Sequence, residues 1–216
     1  MNITSNDTYK EKYLNITNYI LGGNINKKRI TIDDVIFVII DANKLKTDDK
    51  EKELFNKIKS NNDLNNLDSF CDGTTTIFSV SPNTKVFFAL TKNYEVVGYM
   101  HIHYAEKVLK KKHIDNFVNR KGLYIENVCA NNKYSGVAKL MLNNFIENIE
   151  TYYEDIGYLV LDVMIDNCPA YISYKSVGFI PTGNAYYFSD LVNAIGMIKF
   201  LYKYDNEKYC NKKIII

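Results

Sequence analysis

The run YLVLDVMI, residues 158–165, constrains the fold more than any other stretch. Apolar almost throughout and too short for a typical helix, it reads as a strand buried on both faces, so it belongs in the middle of a sheet. Two elements lead into it. LYIENVCA (123–130) is another strand, and SGVAKLMLNNFIENIE (135–150) is a helix with Val137, Leu140, Met141, Phe145 and Ile149 on one stripe. Upstream, TTTIFSV (74–80), KVFFALT (85–91) and EVVGYMHIHY (95–104) are three strands of an antiparallel meander, joined through the turns SPNT and KNYE. Earlier still, VIFVII (35–40) is a buried strand, DDKEKELFNKIKS (48–60) an amphipathic helix and 61–69 a loop. YLNITNYIL (13–21) is helix or strand, ended by Gly22-Gly23; the basic segment 105–122 is compatible with helix; GMIKFLYKY (196–204) is the last strand. This order predicts an α/β or α+β domain: a mixed sheet covered by helices.

The 216 residues suit a single domain over 1–216, with 1–30 as an N-terminal extension. A hydrophobic fraction of 46% supplies a core, and a net charge of +2 gives no ground for expecting nucleic acid or an anionic membrane as partner. No apolar run reaches the length of a membrane span. The opening residues MNITSNDTYK are polar, so no signal peptide is expected. Cys71, Cys129, Cys168 and Cys210 show no paired spacing, which reads as a reducing compartment and a cytoplasmic location. His101 and His103 alternate on one strand face. As metal ligands they need a third group, and His113 is the only other histidine, so no metal is expected and cleft lining suits them better.

Two stretches carry chemistry. In CANNKYSGVA (129–138) a strand runs through a turn with a glycine into a helix. The first turn of a helix leaves amides unpaired and carries partial positive charge, so such an end binds phosphate. Gly136 leaves room for the approach, and Lys133 adds a charge. The plainer reading is an ordinary connection. In NCPAYISYKSVGF (167–179), Asn167, Ala170, Tyr174, Gly178 and Phe179 punctuate a short helix that Pro169 starts. Cys168 reads as its cap and Gly178 as its stop.

Together these stretches resemble the GNAT superfamily of acyl-CoA-dependent N-acetyltransferases. The segment N-x-x-A-x-x-x-Y-x-x-x-G-F matches without a gap. KYSGVA (133–138) is similar to that family's pyrophosphate loop, [Q/R]-x-x-G-x-[G/A], with Lys133 in place of Gln or Arg. EVVGYMHIHY and GMIKFLYKY resemble the family's third and final strands, so the likeness is strongest over residues 74–205. It implies a mostly antiparallel central sheet with one splayed parallel pair, strands 123–130 and 158–165, flanked by helices. It implies acetyl-CoA as cosubstrate and an amine-bearing acceptor, small molecule or protein.

The resemblance also implies roles. Pantetheine pairs with the backbone around Val128, Cys129 and Ala130. The pyrophosphate lies on Lys133, Tyr134, Ser135, Gly136, Val137 and Ala138. Asn167 and Ala170 lie at the mouth of the splay. Tyr174 is the candidate acid for the departing thiolate; a tyrosine on an apolar helical stripe is otherwise core. Glu126, inside an apolar strand, is the candidate base, its pKa raised by burial; otherwise it is a solvent-facing residue. The rival to an enzyme is a CoA-binding module without turnover.

Overall fold

The computed structural model describes residues 27–62, 84–108, 121–182, 185 and 193–201. The expected helix or strand at 13–21, most of the 61–69 loop, the strand at 74–80 and most of the basic segment 105–122 lie outside the described residues.

The chain runs through strand β1 (Lys28–Arg29), β2 (Val35–Asp41), helix α1 (Asp49–Ser60), β3 (Lys85–Thr91), β4 (Val96–Tyr104) and a helical turn α2 (Ala105–Val108). It continues through β5 (Lys121–Ala130), β6 (Tyr134–Ser135), α3 (Val137–Glu147), α4 (Ile149–Tyr152) and β7 (Ile156–Met164), and closes with α5 (Cys168–Ser176), β8 (Ile180–Pro181) and β9 (Ala194–Phe200). Seven strands form one sheet in the order β2-β3-β4-β5-β7-β9-β8. Neighbours are antiparallel except β5 and β7, which run parallel. The expected mixed sheet with one parallel pair is therefore present.

Alternation along the strands sorts the core onto the two faces of the sheet. Phe87, Met100, Ile102, Leu123, Ile125, Leu159 and Leu161 meet Val137, Met141, Leu142 and Phe145 of α3, with Tyr174 of α5 in the same cluster. On the other face, Val86, Phe88, Leu90, Tyr99 and Cys129 lie under Ile58 of α1. A separate patch on that face holds Tyr124, Tyr158, Val160 and Ile198. Helix α1 starts where expected, because the Asp48 carboxylate accepts from the amides of Lys50 and Glu51. Gly98 lets α3 sit directly on β4: a Cβ there would lie 2.7 Å from the Cys129 carbonyl oxygen and 2.7 Å from Val137 Cγ1.

The last strand, expected over 196–204, runs from Ala194 to Phe200, and β5 takes in Lys121 and Gly122 of the segment read as compatible with helix. Two further details differ from the sequence reading. The helix expected over 135–150 is two helices. Ser135 belongs to β6, Gly136 is left-handed at φ 82°, and α3 stops at Glu147, where the Asn148 amide side chain bonds back to the Asn144 carbonyl at 2.9 Å. The second difference is a two-stranded parallel sheet, in which β1 lies on β6 with Lys28 opposite Tyr134 and Arg29 opposite Ser135. Ile30, the next residue, is buried in the main core. Among the described residues no helix is long and apolar enough to cross a membrane.

Candidate functional site

The parallel pair comes apart halfway along. Pairing between β5 and β7 begins at Lys121↔Ile156 and ends at Ile125↔Leu161. Beyond that point each strand keeps only its outer neighbour. β5 stays on β4 as far as Ala130↔Gly98, and β7 stays on β9 as far as Met164↔Ala194. The facing edges of 126–130 and 162–164 thus diverge, and Val128 and Ala130 lie on the β5 edge.

A β-bulge sits where the gap opens. His101 pairs with Asn127 but Ile102 with Ile125, so Glu126 is the extra residue. A bulge shifts the side-chain alternation by one. Ile125 and Val128 remain on the face of α3, whereas Glu126 and Asn127 both turn to the face of His101 and His103. Glu126 Oε2 lies 2.8 Å from His103 Nε2, and Asn127 Nδ2 lies 3.3 Å from His101 Nδ1. His103 is buried, and its Nδ1 is 3.4 Å from Thr84 Oγ1. The expectation that burial raises the pKa of Glu126 is corrected here. The hydrogen bond from His103 outweighs desolvation and lowers the pKa below the ordinary carboxylate value. His103 is bound to the candidate base.

The phosphate-loop candidate is held from three sides. Asn131 is buried; its amide donates to the Val97 carbonyl at 2.8 Å. Its side-chain oxygen accepts from the Lys133 amide at 2.9 Å, and its carbonyl accepts from the Tyr134 amide at 3.1 Å. Strand β1 flanks the turn, with the Lys28 amide donating to the Lys133 carbonyl at 3.2 Å. The amides of Lys133 and Tyr134 are therefore engaged within the turn. Gly136 then caps α3 without a side-chain hydrogen bond, and the helical ladder starts with Leu140 donating to the Gly136 carbonyl at 3.0 Å. The amides of Val137, Ala138 and Lys139 precede that bond and have no acceptor further back in the helix. A Cβ built on Gly136 meets no atom within 4 Å, so the space at that side-chain position is open. Ser135 lies half-buried in β6, opposite Arg29.

Helix α5 begins one residue earlier than the sequence suggests. Asn167, not Cys168, is the cap: its side-chain oxygen accepts from the Ala170 amide at 3.2 Å, and Pro169 falls in the first turn. A free asparagine amide or hydroxyl oxygen caps far better than a thiol, which explains the shift. At the other end Gly178 is left-handed at φ 93°. Its amide donates to the Lys175 carbonyl at 3.0 Å and the Phe179 amide to the Tyr174 carbonyl at 3.1 Å, a Schellman closure. The ring of Tyr174 lies 6.1 Å from that of Phe179, the apolar contact that accompanies such a stop. Tyr174 is 7% exposed, and burial raises its pKa above the ordinary phenol value.

Tyr174 lies with the α3-side core, whereas Glu126 projects from the opposite face of the sheet. Cys129 is fully buried and disulfide-bonded, which corrects the reading of its spacing as unpaired and leaves no thiol nucleophile there. Sequence reasoning named His103 without its partner and missed Thr84, Asn131 and Asp162. Thr84 and Asn131 carry no motif. For Asp162, alternation with Leu161 and Val163 puts it on the Glu126 face of β7, just past the end of the parallel pairing. The one available signal for Asp162 was a lone carboxylate in an apolar strand. Among the described residues no group of three or more His, Cys, Asp or Glu could hold a metal ion.

No protein-family model and no curated protein matches the sequence. Among solved structures, the chain is similar to Arabidopsis thaliana NAA60 in complex with a bisubstrate analogue, at 15% identity and a TM-score of 0.49 over 77% of this chain and 97% of that one. It is similar to an N-acetyltransferase from Staphylococcus aureus, at 14% identity and a TM-score of 0.46 over 77% and 97%. It is also similar to an acetyltransferase from Thermus thermophilus, at 11% identity and a TM-score of 0.46 over 77% and 98%. At 11–15% identity these likenesses carry no activity across to this chain.

Proposed function

We propose that this chain transfers an acetyl group from acetyl-CoA to an amine by direct attack. The carrying observation is the end of parallel pairing at Ile125↔Leu161, with Glu126 bulged out beside the gap it opens. Backbone groups on the gap side of Val128 and Ala130 suit a strand-like partner such as the amides of pantetheine. The open space at Gly136 and the first amides of α3 suit the pyrophosphate. Because Lys133 and Tyr134 spend their amides inside the turn, the anion contacts fall on Gly136, Val137 and Ala138. Asn167 and Ala170, joined in the α5 cap, border the mouth of the gap.

In this reading the thioester carbonyl lies within the gap. The amine approaches from the Glu126 face, its nitrogen bonds to the carbonyl carbon, and the carbon–sulfur bond breaks. Glu126, directly or through a water, receives the proton that the amine gives up. The sulfur leaves on the Tyr174 side. A thiol is a stronger acid than a buried phenol, so Tyr174 hydrogen-bonds the departing thiolate rather than surrendering its proton to it. Acceptors compatible with this site are primary amines on small molecules or proteins.

The test is acetyl-CoA binding by calorimetry, then acetyl transfer across a panel of amines. Glu126→Gln is expected to lower turnover by roughly 10²–10⁴ with CoA affinity unchanged. Binding without transfer by the wild-type chain to any amine would assign the fold to CoA binding alone. No binding at all would remove the reading.

A further inference from the structure

The pairing of Glu126 with a buried imidazole is unlike a carboxylate that simply faces solvent. An ionised carboxylate only accepts hydrogen bonds, so at 2.8 Å the proton must sit on His103 Nε2. In the neutral ring Nδ1 is then an acceptor, and the Thr84 hydroxyl, 3.4 Å away, is placed to donate to it. Thr84 and His103 are 3% and 6% exposed, whereas the Glu126 side chain keeps 34% of its surface. The order from interior to gap is therefore Thr84, His103, Glu126: two buried groups that fix an orientation and one accessible group that is oriented. This arrangement follows from the bulge. Without the extra residue, Glu126 would alternate with Ile125 and Asn127 in regular register, and one residue fewer would face the histidines.

We propose that His103, seated on Thr84, is a positioning residue for Glu126: it holds one carboxylate oxygen and presents the other, ionised, to the amine in the gap. The proposal rests on the acetyl-transfer reading above for its chemistry, but not for its geometry. Second-sphere partners of this kind fix the orientation of a reacting group and set its basicity. Here the two effects pull apart. The bond to His103 weakens Glu126 as a base while keeping it charged and aimed at lower pH. The titratable groups acting on Glu126 are His103 and His101, both on β4. Asp162 of β7 lies on the same face across the gap.

Two measurements test this separately. The first is a carbon-13 NMR titration of the Glu126 carboxyl in the folded protein, which needs no activity. Its midpoint is expected below the ordinary carboxylate value, and His103→Leu is expected to move it upward, because the largest lowering cause is lost. His103→Gln, whose amide still donates, should restore part of the shift, and Thr84→Val should move it less than His103→Leu does. The second is the pH dependence of kcat/KM. The acidic limb should move upward in His103→Leu in step with the carboxyl titration, with kcat falling roughly tenfold or more and the KM for acetyl-CoA unchanged. A carboxyl midpoint that does not move in a folded His103→Leu protein overturns the proposal. So does a midpoint that moves while the acidic limb and kcat stay put. If the wild-type chain transfers no acetyl group, the function fails, and the titration alone decides whether His103 orients Glu126. Should His103→Leu fail to fold, the Gln and Thr84→Val variants carry the same comparison.

Discussion

Gly136 combines two properties that a single substitution confounds: a left-handed backbone and open space at its side-chain position, beside the start of α3. Asparagine tolerates that backbone far better than valine, so the two variants separate strain from obstruction. Gly136→Asn is expected to keep most of the stability and still weaken acetyl-CoA binding, because its side chain intrudes on the anion site. Gly136→Val should lose both affinity and about 1–2 kcal/mol of stability. Calorimetry and urea unfolding on the pair check this, and unchanged affinity in both variants would move the pyrophosphate elsewhere. For Tyr174 the ring is core and only the hydroxyl is in question. Tyr174→Phe should unfold at the wild-type midpoint, with turnover lower by roughly 10²–10³, the scale of losing a hydrogen-bond donor to developing negative charge. The loss should shrink with an acyl donor whose thiol leaves more readily; equal loss with every donor would point to a misplaced cosubstrate. Pro169 and Gly178 were readable in advance because each acts locally, as first-turn proline and left-handed stop, whereas the cap falls on Asn167 and not on Cys168. Glu126 was readable only as a candidate. Its lowered pKa depends on His103, 23 positions away in sequence, and on a bulge that LYIENV does not announce.

At the scale of elements, α5 hangs between two fixed ends, the Asn167 cap and the Gly178 closure. Gly178→Ala forces a Cβ into the left-handed region and to within 2.7 Å of Lys199 Nζ, a flexible tip that can move aside. The remaining cost is conformational, about 1–2 kcal/mol, and should appear as a lower urea midpoint with an unchanged slope. The strands were legible in the sequence because apolar runs bounded by polar turns have few other uses. KVFFALT and VIFVII recur as β3 and β2 with at most one residue of difference at an end. The break between α3 and α4 was not legible, since the apolar stripe runs on through Ile149 while the backbone at Asn148 has already left the helix. Nor was β1 on β6: two-residue strands hold no periodicity, and their pairing is decided by where Ile30 is buried.

For the whole molecule, ionisable groups set both ends of the stability range. Glu126 has a lower pKa folded than unfolded, so the stability it adds is complete above the unfolded value of 4.5 and disappears as pH falls through the lower folded value. Tyr158, pushed up to about 12, and Tyr153 and Tyr174, raised further by burial, act in the opposite sense. Above pH 10 the unfolded chain releases these protons first, and stability falls. Urea midpoints measured from pH 3 to 11 should therefore decline at both ends. The acid decline should be shallower in His103→Leu, and the alkaline decline should be unaffected by it. The overall architecture was legible from the order of elements, whereas the divergence of β5 from β7 was known only through a family resemblance, because nothing in either strand's own residues says where pairing stops. The pairing of β1 with β6 also bears on how the molecule is made. Lys28 leaves the ribosome roughly a hundred residues before its partner Tyr134. Contacts of such long sequence separation form slowly and late. The turn ahead of α3 therefore stays unclamped until residues 28 and 29 return to it, and in a refolding experiment the anion binding proposed for that turn should be among the last properties to appear.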